Sequence, residues 1–274
     1  MSAINLYAKP SATFADKLAA TQATLRQATE RFAPITQASS LGVEDMVITH
    51  LLHNLQLPSE VFVLQTGKLH TETLALLATV QRDYGAQRSV RVYEPDALAA
   101  ADFEHANGQD AMYKSIALRK ACCNIRKMLP LEKALAGKRA WITGLRKEQS
   151  DARAEVLHIE IPKELQGGES SNAQKPAKIN PLADWTLGDV WHYVSLHQVP
   201  YNPLHDQFYP SIGCAPCTRA VTLGEDFRSG RWWWESEAAK ECGLHASALP
   251  SAEPANFRPT SKIIPITASP TESA

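Results

Sequence analysis

A parallel α/β sheet is the fold class predicted by this 274-residue sequence. Three observations predict it. Short continuous apolar runs such as Val61-Phe62-Val63-Leu64 fit strands covered on both faces. Segments with apolar residues at helical spacing separate them. Small polar turns, Ser39-Ser40-Leu41-Gly42 and Thr143-Gly144-Leu145-Arg146, follow two of the candidate strands. Strands alternating with helices favour a parallel sheet that binds ligands at its carboxyl edge.

The opening helix is predicted over 14–33, with Phe14, Leu18, Leu25 and Phe32 as its apolar positions. A buried strand at 35–38 runs into the turn Ser39-Ser40-Leu41-Gly42-Val43-Glu44-Asp45. Met46, Val47, Leu51, Leu52 and Leu55 then recur at helical spacing. The strand at 61–64 is broken by Thr66-Gly67, and 71–83 reads as a helix. Ser89–Tyr93 is a further strand, with a helix from about Asp96. Residues 112–136 read as one helix carrying Cys122 and Cys123. Ala140-Trp141-Ile142-Thr143 and Val156–Ile159 read as later strands, and 163–178 as a surface loop. Asp184-Trp185-Thr186 opens another helix, with Thr186 as its N-cap. From about residue 235 Ala, Ser, Pro, Thr and Glu dominate with little periodicity. That stretch reads as a flexible tail rather than a second domain, which divides the chain into 1–234 and 235–274. No internal repeat stands out.

Composition narrows the function classes. A 44% hydrophobic content is ample for one large core. A net charge of −1 offers no global basic field to nucleic acid or anionic membrane. The opening Met1-Ser2-Ala3-Ile4-Asn5-Leu6 has no basic segment followed by an apolar run, so no secretory leader is expected. No apolar stretch approaches the ~20 residues a bilayer span needs. A cytoplasmic protein is expected, and there clustered cysteines read as metal-binding or catalytic rather than as disulfides.

The five cysteines fall into three groups: Cys122-Cys123, Cys214-Ala215-Pro216-Cys217 and the lone Cys242. An odd count leaves one thiol over under any pairing. Cys214 and Cys217 have the CxxC spacing that lets two thiolates face one metal centre. Cys122 and Cys123 are adjacent, and successive helical residues point about 100° apart. A single tetrahedral zinc would need a distorted backbone there, whereas a wider [4Fe–4S] cluster accepts neighbouring thiolates at different irons. Lys114, Arg119, Lys120, Arg126 and Lys127 flank the pair and would offset thiolate charge. A solvated basic helix face with two buried cysteines, or structural zinc, are the competing accounts. Cys242 has Lys240 close by and His245 three positions on, a setting that favours a reactive thiolate. An idle surface thiol is the plainer reading of the same residues.

Serine hydroxyls and backbone N–H groups at a helix N-terminus bind anions, so Ser39, Ser40 and Gly42 are candidates. No Walker lysine follows, which excludes the usual nucleotide-triphosphate loop. Arg146 follows a strand at the same sheet edge. Arg228 and Arg231 precede Trp232-Trp233-Trp234 and would grip phosphate or sulfate bidentately. A tryptophan-rich core element with two surface arginines is the bland alternative.

Taken together, Lys120-Ala121-Cys122-Cys123 with Arg126-Lys127, the Cys214–Cys217 pair and Lys240-Glu241-Cys242-Gly243-Leu244-His245 resemble the assimilatory sulfonucleotide reductases. The likeness is strongest to the cluster-bearing adenosine 5′-phosphosulfate (APS) reductases and spans roughly residues 35–245. The resemblance implies an adenine nucleotide α-hydrolase-like (PP-loop) fold with a mobile C-terminal tail carrying the nucleophile. The family's phosphate loop matches Ser39-Ser40-Leu41-Gly42-Val43-Glu44-Asp45. Its Leu-Asp-Thr-Gly motif matches Leu64-Gln65-Thr66-Gly67, with Gln65 where the family usually has Asp. Its arginine motif matches Thr143-Gly144-Leu145-Arg146 and continues through Gln149-Ser150-Asp151-Ala152-Arg153. Leu64, Thr66, Gly67, Arg146 and Arg153 are thereby candidate substrate contacts.

The family mechanism implies that Cys242 attacks the sulfur of APS, expels AMP and becomes an S-sulfocysteine. Reduced thioredoxin, or a glutaredoxin-like donor, then releases sulfite. Lys127, Arg228 and Arg231 would hold sulfate and phosphate, with His245 near the nucleophile. Cys122, Cys123, Cys214 and Cys217 would hold a [4Fe–4S] cluster of electrostatic and structural role. The nearest alternative is reduction of 3′-phosphoadenosine 5′-phosphosulfate (PAPS), or of both nucleotides. A tRNA-thiolating PP-loop protein belongs to another class, but it carries a Ser-Gly-Gly-x-Asp-Ser loop and favours a basic surface. A non-catalytic metal-binding module is the third reading. A homo-oligomer is compatible with the sequence, which does not fix the oligomeric state.

Overall fold

The sheet follows from the apolar runs, and its order sets where three loops converge. The computed structural model describes residues 2–162, 175–222 and 224–235. Its strands are β1 (Ile35–Ser39), β2 (Glu60–Leu64), β3 (Val90–Tyr93), β4 (Ala140–Ile142), β5 (Ile159–Glu160) and β6 (Ala177–Ile179). They form one sheet in the order β3-β2-β1-β4-β6-β5. All pairs are parallel except the edge pair β5–β6. Val61, Phe62 and Val63 are almost wholly buried, as a strand covered on both faces requires.

The helices are α1 (Ala3–Tyr7), α2 (Phe14–Arg31), α3 (Val43–Asn54), α4 (Thr71–Tyr84), α5 (Ala97–Asn107), α6 (Ala111–Lys114), α7 (Ile116–Cys123), α8 (Leu129–Leu135) and α9 (Leu187–His197). Met46, Val47, Leu51 and Leu52 of α3 bury against Trp185, Val190, Tyr193 and Val194 in one apolar cluster. Thr186 caps α9 as expected, its hydroxyl accepting from Asp189 N at 3.0 Å. No helix among the described residues is long and apolar enough to cross a membrane.

Three expectations need correction. The segment 112–136 is not one helix, because Ser115 is extended at φ −164° and starts α7 as its N-cap. Its hydroxyl accepts from Leu118 N at 3.1 Å, a bond that competes with helix continuation. A π-helical turn, Asn124–Met128, then follows the cysteines. The strand expected at 156–159 is confined to Ile159–Glu160 at the sheet edge. Of the loop expected at 163–178, residues 163–174 lie outside the described residues, and its end runs into a strand, β6, whose Ala177 and Ile179 are fully buried between β4 and β5. Three residues carry too short a pattern to announce a strand. Finally α1 was not foreseen; Ser2 caps it, and Ala3 N donates to Asp206 Oδ1 at 2.7 Å. The expected division of the chain before residue 235 falls at the end of the described residues, where Glu235 pairs with Arg119 at 2.6 Å, both side chains 2% exposed. Residues 236–274 lie outside the described residues.

Candidate active site and thiol cluster

The strand order reverses at β1, which has β2 on one side and β4 on the other. At such a switch point the loops leaving neighbouring strands diverge and open a crevice at the carboxyl edge. The loop 39–42 leaves β1, the turn 65–67 leaves β2, and 143–146 leaves β4. Ser39 lies opposite Val63 in the ladder, so the first two begin side by side.

The loop after β1 is folded on its own side chains. Leu41 N donates to Ser39 Oγ at 3.2 Å and Gly42 N to Ser40 Oγ at 3.3 Å. Leu41 sits at φ 61°, which reverses the chain into α3. Ser39 is buried and Ser40 exposed. Asp45 Oδ2 accepts from both Ser40 N and Ser40 Oγ at 2.7 Å. Burial pushes the Asp45 carboxyl up to about 6, and neighbouring Glu44 adds to the rise, against the Ser40 donors.

Arg146 stands behind this loop. Its Nε and Nη2 reach Glu44 Oε1 at 3.0 and 2.9 Å, its Nη1 donates to Trp185 O at 3.3 Å, and the residue is 1% exposed. Gln149 Nε2 donates to the same Glu44 oxygen at 3.0 Å, and Arg153 Nη1 donates to Gln149 Oε1 at 2.6 Å. Burial pushes Glu44 up, but Arg146 and Gln149 together hold it below the ordinary carboxylate value. Arg146 and Arg153 thus come together with the loop through Glu44 and Gln149.

The turn after β2 faces two ways. Gln65 Oε1 accepts from Gly67 N at 2.8 Å, the bond an aspartate two residues back would make in an Asx turn. Leu64 is half-buried at the strand end. Gly67 is at φ +74°, and a Cβ there would sit 3.0 Å from Arg126 Nη1. Thr66 is buried; its Oγ1 lies 3.2 Å from Cys214 Sγ, and its carbonyl accepts from Arg126 Nη1 at 2.7 Å.

Cys122, Cys123, Cys214 and Cys217 line one small cavity. Cys214 is fixed by a bridge to Leu69 and by Ala215 N donating to Lys68 O at 2.7 Å. Cys217 N donates to Cys214 O at 2.9 Å in a short 3-10 turn, and Tyr113 donates its hydroxyl to Pro216 O at 2.5 Å. Burial pushes Cys217 up to about 12, helped by Cys214 and Cys123 and opposed by Lys127 and Arg231. Burial raises Cys122 as well, with Cys214 adding to it against Arg126 and Lys68. Among the described residues no three His, Cys, Asp or Glu side chains are grouped to hold one metal ion.

Of the five expected flanking cations, Arg119, Arg126 and Lys127 line the cavity. Lys114 turns away and donates to Asn107 O at 2.5 Å, a consequence of the break at Ser115, and Lys120 is exposed. Arg231 is 7% exposed, donates to Ser211 Oγ and Ile212 O at 3.3 Å, and bears electrostatically on both Cys217 and His70. Arg119 and Arg231 both stack on the Trp232 ring, at 4.7 and 4.8 Å. Arg228 is buried nearby in the chain. Cys242 and His245 lie outside the described residues.

Several participants gave no sequence signal. Lys68 lines the cavity and pairs with Glu104 at 2.8 Å. The indole nitrogen of Trp232 is buried without a hydrogen-bond partner among the described residues, as are the Nε2 atoms of His70 and His205. Burial holds the His205 imidazole down at about 4, so it stays neutral. Only proximity in the fold selects these side chains.

The phosphoadenosine phosphosulfate reductase domain family matches residues 34–220. The chain is 50% identical over 235 residues to a protein of Allochromatium vinosum named adenosine 5′-phosphosulfate reductase, covering 84% of this chain and 88% of that one. A Burkholderia cepacia protein of the same name is 47% identical over 235 residues, covering 86% and 90%. The crystal structure of a phosphoadenylyl-sulfate (PAPS) reductase from Candida auris, a phosphate complex, aligns with TM-score 0.59 at 25% identity, over 74% of this chain and 90% of that one.

Proposed function

The chain belongs to the phosphoadenosine phosphosulfate reductase domain family, and from that premise we propose that it is an oxidoreductase converting APS to sulfite and AMP in sulfate assimilation. The observation that carries this reading is the position of Thr66. It stands between the crevice beside the phosphate loop and Cys214 of the thiol cavity. A nucleotide held at the loop would therefore have its distal anion toward the cations of that cavity.

Each step balances. The Cys242 thiolate attacks sulfur, an S–S bond forms, the S–O bond to the phosphate breaks, and AMP leaves with the electron pair. A thiolate of reduced thioredoxin, or of a glutaredoxin-like donor, then attacks Cys242 sulfur and releases sulfite as a mixed disulfide forms. The donor's second thiol resolves that disulfide. Two anions meet in the first step, so cation placement should dominate the barrier. Lys127, Arg228 and Arg231 are assigned that role, with His245 beside the nucleophile. Arg146 and Arg153 support the loop through Glu44 and Gln149.

Cys122, Cys123, Cys214 and Cys217 would hold a [4Fe–4S] cluster, which when bound would supply charge to the site without passing electrons through it. Three observations support the fit. Four thiols line one cavity, Arg119, Arg126, Lys127 and Lys68 line it with them, and Thr66 Oγ1 lies 3.2 Å from Cys214 Sγ. Thiols pushed as high as Cys217 stay protonated by themselves, and metal ligation removes that penalty. The cytoplasm is the proposed location, because the reaction consumes reduced thiols.

Brief exposure to APS without reductant, followed by peptide mass spectrometry, tests the reading. A sulfonate adduct on Cys242 is expected. An adduct elsewhere, or none, would sink it. The family and the Candida auris relative both carry the PAPS name, which favours a second substrate as the specific alternative. Comparing turnover of the two nucleotides decides between them.

A further inference from the structure

The donors that a substrate phosphate would need are already taken. Ser40 presents a backbone N–H and a hydroxyl at the exposed lip of the loop, and Asp45 Oδ2 accepts both at 2.7 Å. Asp45 is 8% exposed, and its other oxygen faces Gly144, where a Cβ would come within 2.5 Å. The two carboxylates of the first turn of α3 are treated differently by the fold. Glu44 has the Arg146 guanidinium on it, whereas the hydrogen-bond partners of Asp45 are neutral: Ser40 from the loop after β1 and the Gly144 backbone from the loop after β4. The charge that bears on Asp45 is Glu44, which repels it and is itself paired with Arg146.

We propose that Asp45 is a substrate-positioning residue: it holds Ser40 in the free protein and releases it to the substrate's α-phosphate while taking up a proton from solvent. The inference rests on the reading of the loop as the phosphate site. On binding, the Ser40 O–H turns from Asp45 to a phosphate oxygen. The protonated Asp45 carboxyl then donates its own O–H to Ser40 Oγ, so the loop keeps its shape and the two anions never face each other. Burial has already brought the free carboxyl up to about 6, so a second anion beside it need raise it only modestly to cause uptake near neutrality. The sign follows: binding raises the Asp45 pKa, so affinity is highest below about 6 and falls as pH rises above it.

The test is calorimetric titration of AMP into the full-length protein, in buffers of different ionisation heat. It compares wild type with Asp45→Asn, whose amide oxygen still accepts from Ser40. Net proton uptake on binding is expected in wild type, above that of the variant. Wild-type affinity should fall more steeply with pH than the variant's, by at most about tenfold per unit for one linked proton. The phosphate of AMP titrates in both proteins, so their difference isolates Asp45. Equal uptake and equal pH slopes would overturn the proposal while leaving the phosphate-site reading standing. No AMP binding at any pH would remove both. If the variant does not fold, APS, whose phosphate has no group ionising between about pH 5 and 8, is titrated into Cys242→Ser, which cannot react with it: proton uptake supports the proposal and binding without uptake overturns it.

Discussion

Lys127 sits in the π-helical turn directly after the cysteine pair, lines the thiol cavity and bears electrostatically on Cys217. One cation therefore faces both the thiol group and the proposed approach of two anions. Lys127→Ala is expected to lower turnover by about 10²- to 10³-fold, the range found when one oxyanion-stabilising donor is removed. Iron and sulfide content should stay unchanged. Unchanged turnover would refute the proposed coupling between the thiol cavity and the substrate. Arg146 stands in a different setting. An arginine after a strand reads as an anion ligand, and here its buried guanidinium engages Glu44. Both assignments are arginine or lysine beside a strand end or cysteine pair in the sequence, and only burial and partners separate them.

At the scale of elements, close approach between loops fixes the crevice. Gly144 of the loop after β4 packs onto the first turn of α3. A Cβ there would lie 2.5 Å from Asp45 Oδ1 and 2.8 Å from Glu44 Cβ. Neither neighbour can retreat freely, because Asp45 is tied to Ser40 and Glu44 to Arg146. Gly144→Ala is expected to weaken AMP binding at least tenfold by displacing the loop, an effect of about 1.4 kcal/mol or more. Far-UV circular dichroism should remain that of wild type, since the sheet core lies below the loop. Full affinity in the variant would show that the loop tolerates the displacement. The same scale explains the broken helix around the cysteines. Apolar spacing over 112–136 is continuous, yet one serine hydroxyl closing on Leu118 N resets the axis.

Across the whole molecule, one buried carboxylate fastens the N-terminal segment to α9. Asp189 accepts from Lys17 Nζ at 2.8 Å, Ser11 N at 2.7 Å, Ser11 Oγ at 3.1 Å and Thr186 N at 2.9 Å. Burial pushes its carboxyl up, but these donors outweigh burial and hold it well below the usual carboxylate range. A depressed folded-state pKa gives stability that is complete above the unfolded value of about 3.9 and lost as pH falls below it. Asp189→Asn should lower unfolding free energy by about 3 kcal/mol at neutral pH, as breaking a buried ion pair does. The gap to wild type should close on acidification below about pH 4. A pH-independent gap in denaturant melts would contradict this account.

The sequence by itself determined the parallel α/β class, the position of most strands and helices, and the division of five thiols into four plus one. Those features are local, because apolar periodicity, caps such as Thr186 and short motifs are set by neighbours along the chain. Which side chains meet was decided by tertiary structure. β6 exists because β4 and β5 flank it, and Thr66 reaches Cys214 across 148 positions of sequence. Glu44 captures Arg146 over a separation of 102. No local pattern encodes such contacts, since burial and charge pairing are properties of the packed chain and not of the segment that carries the residue.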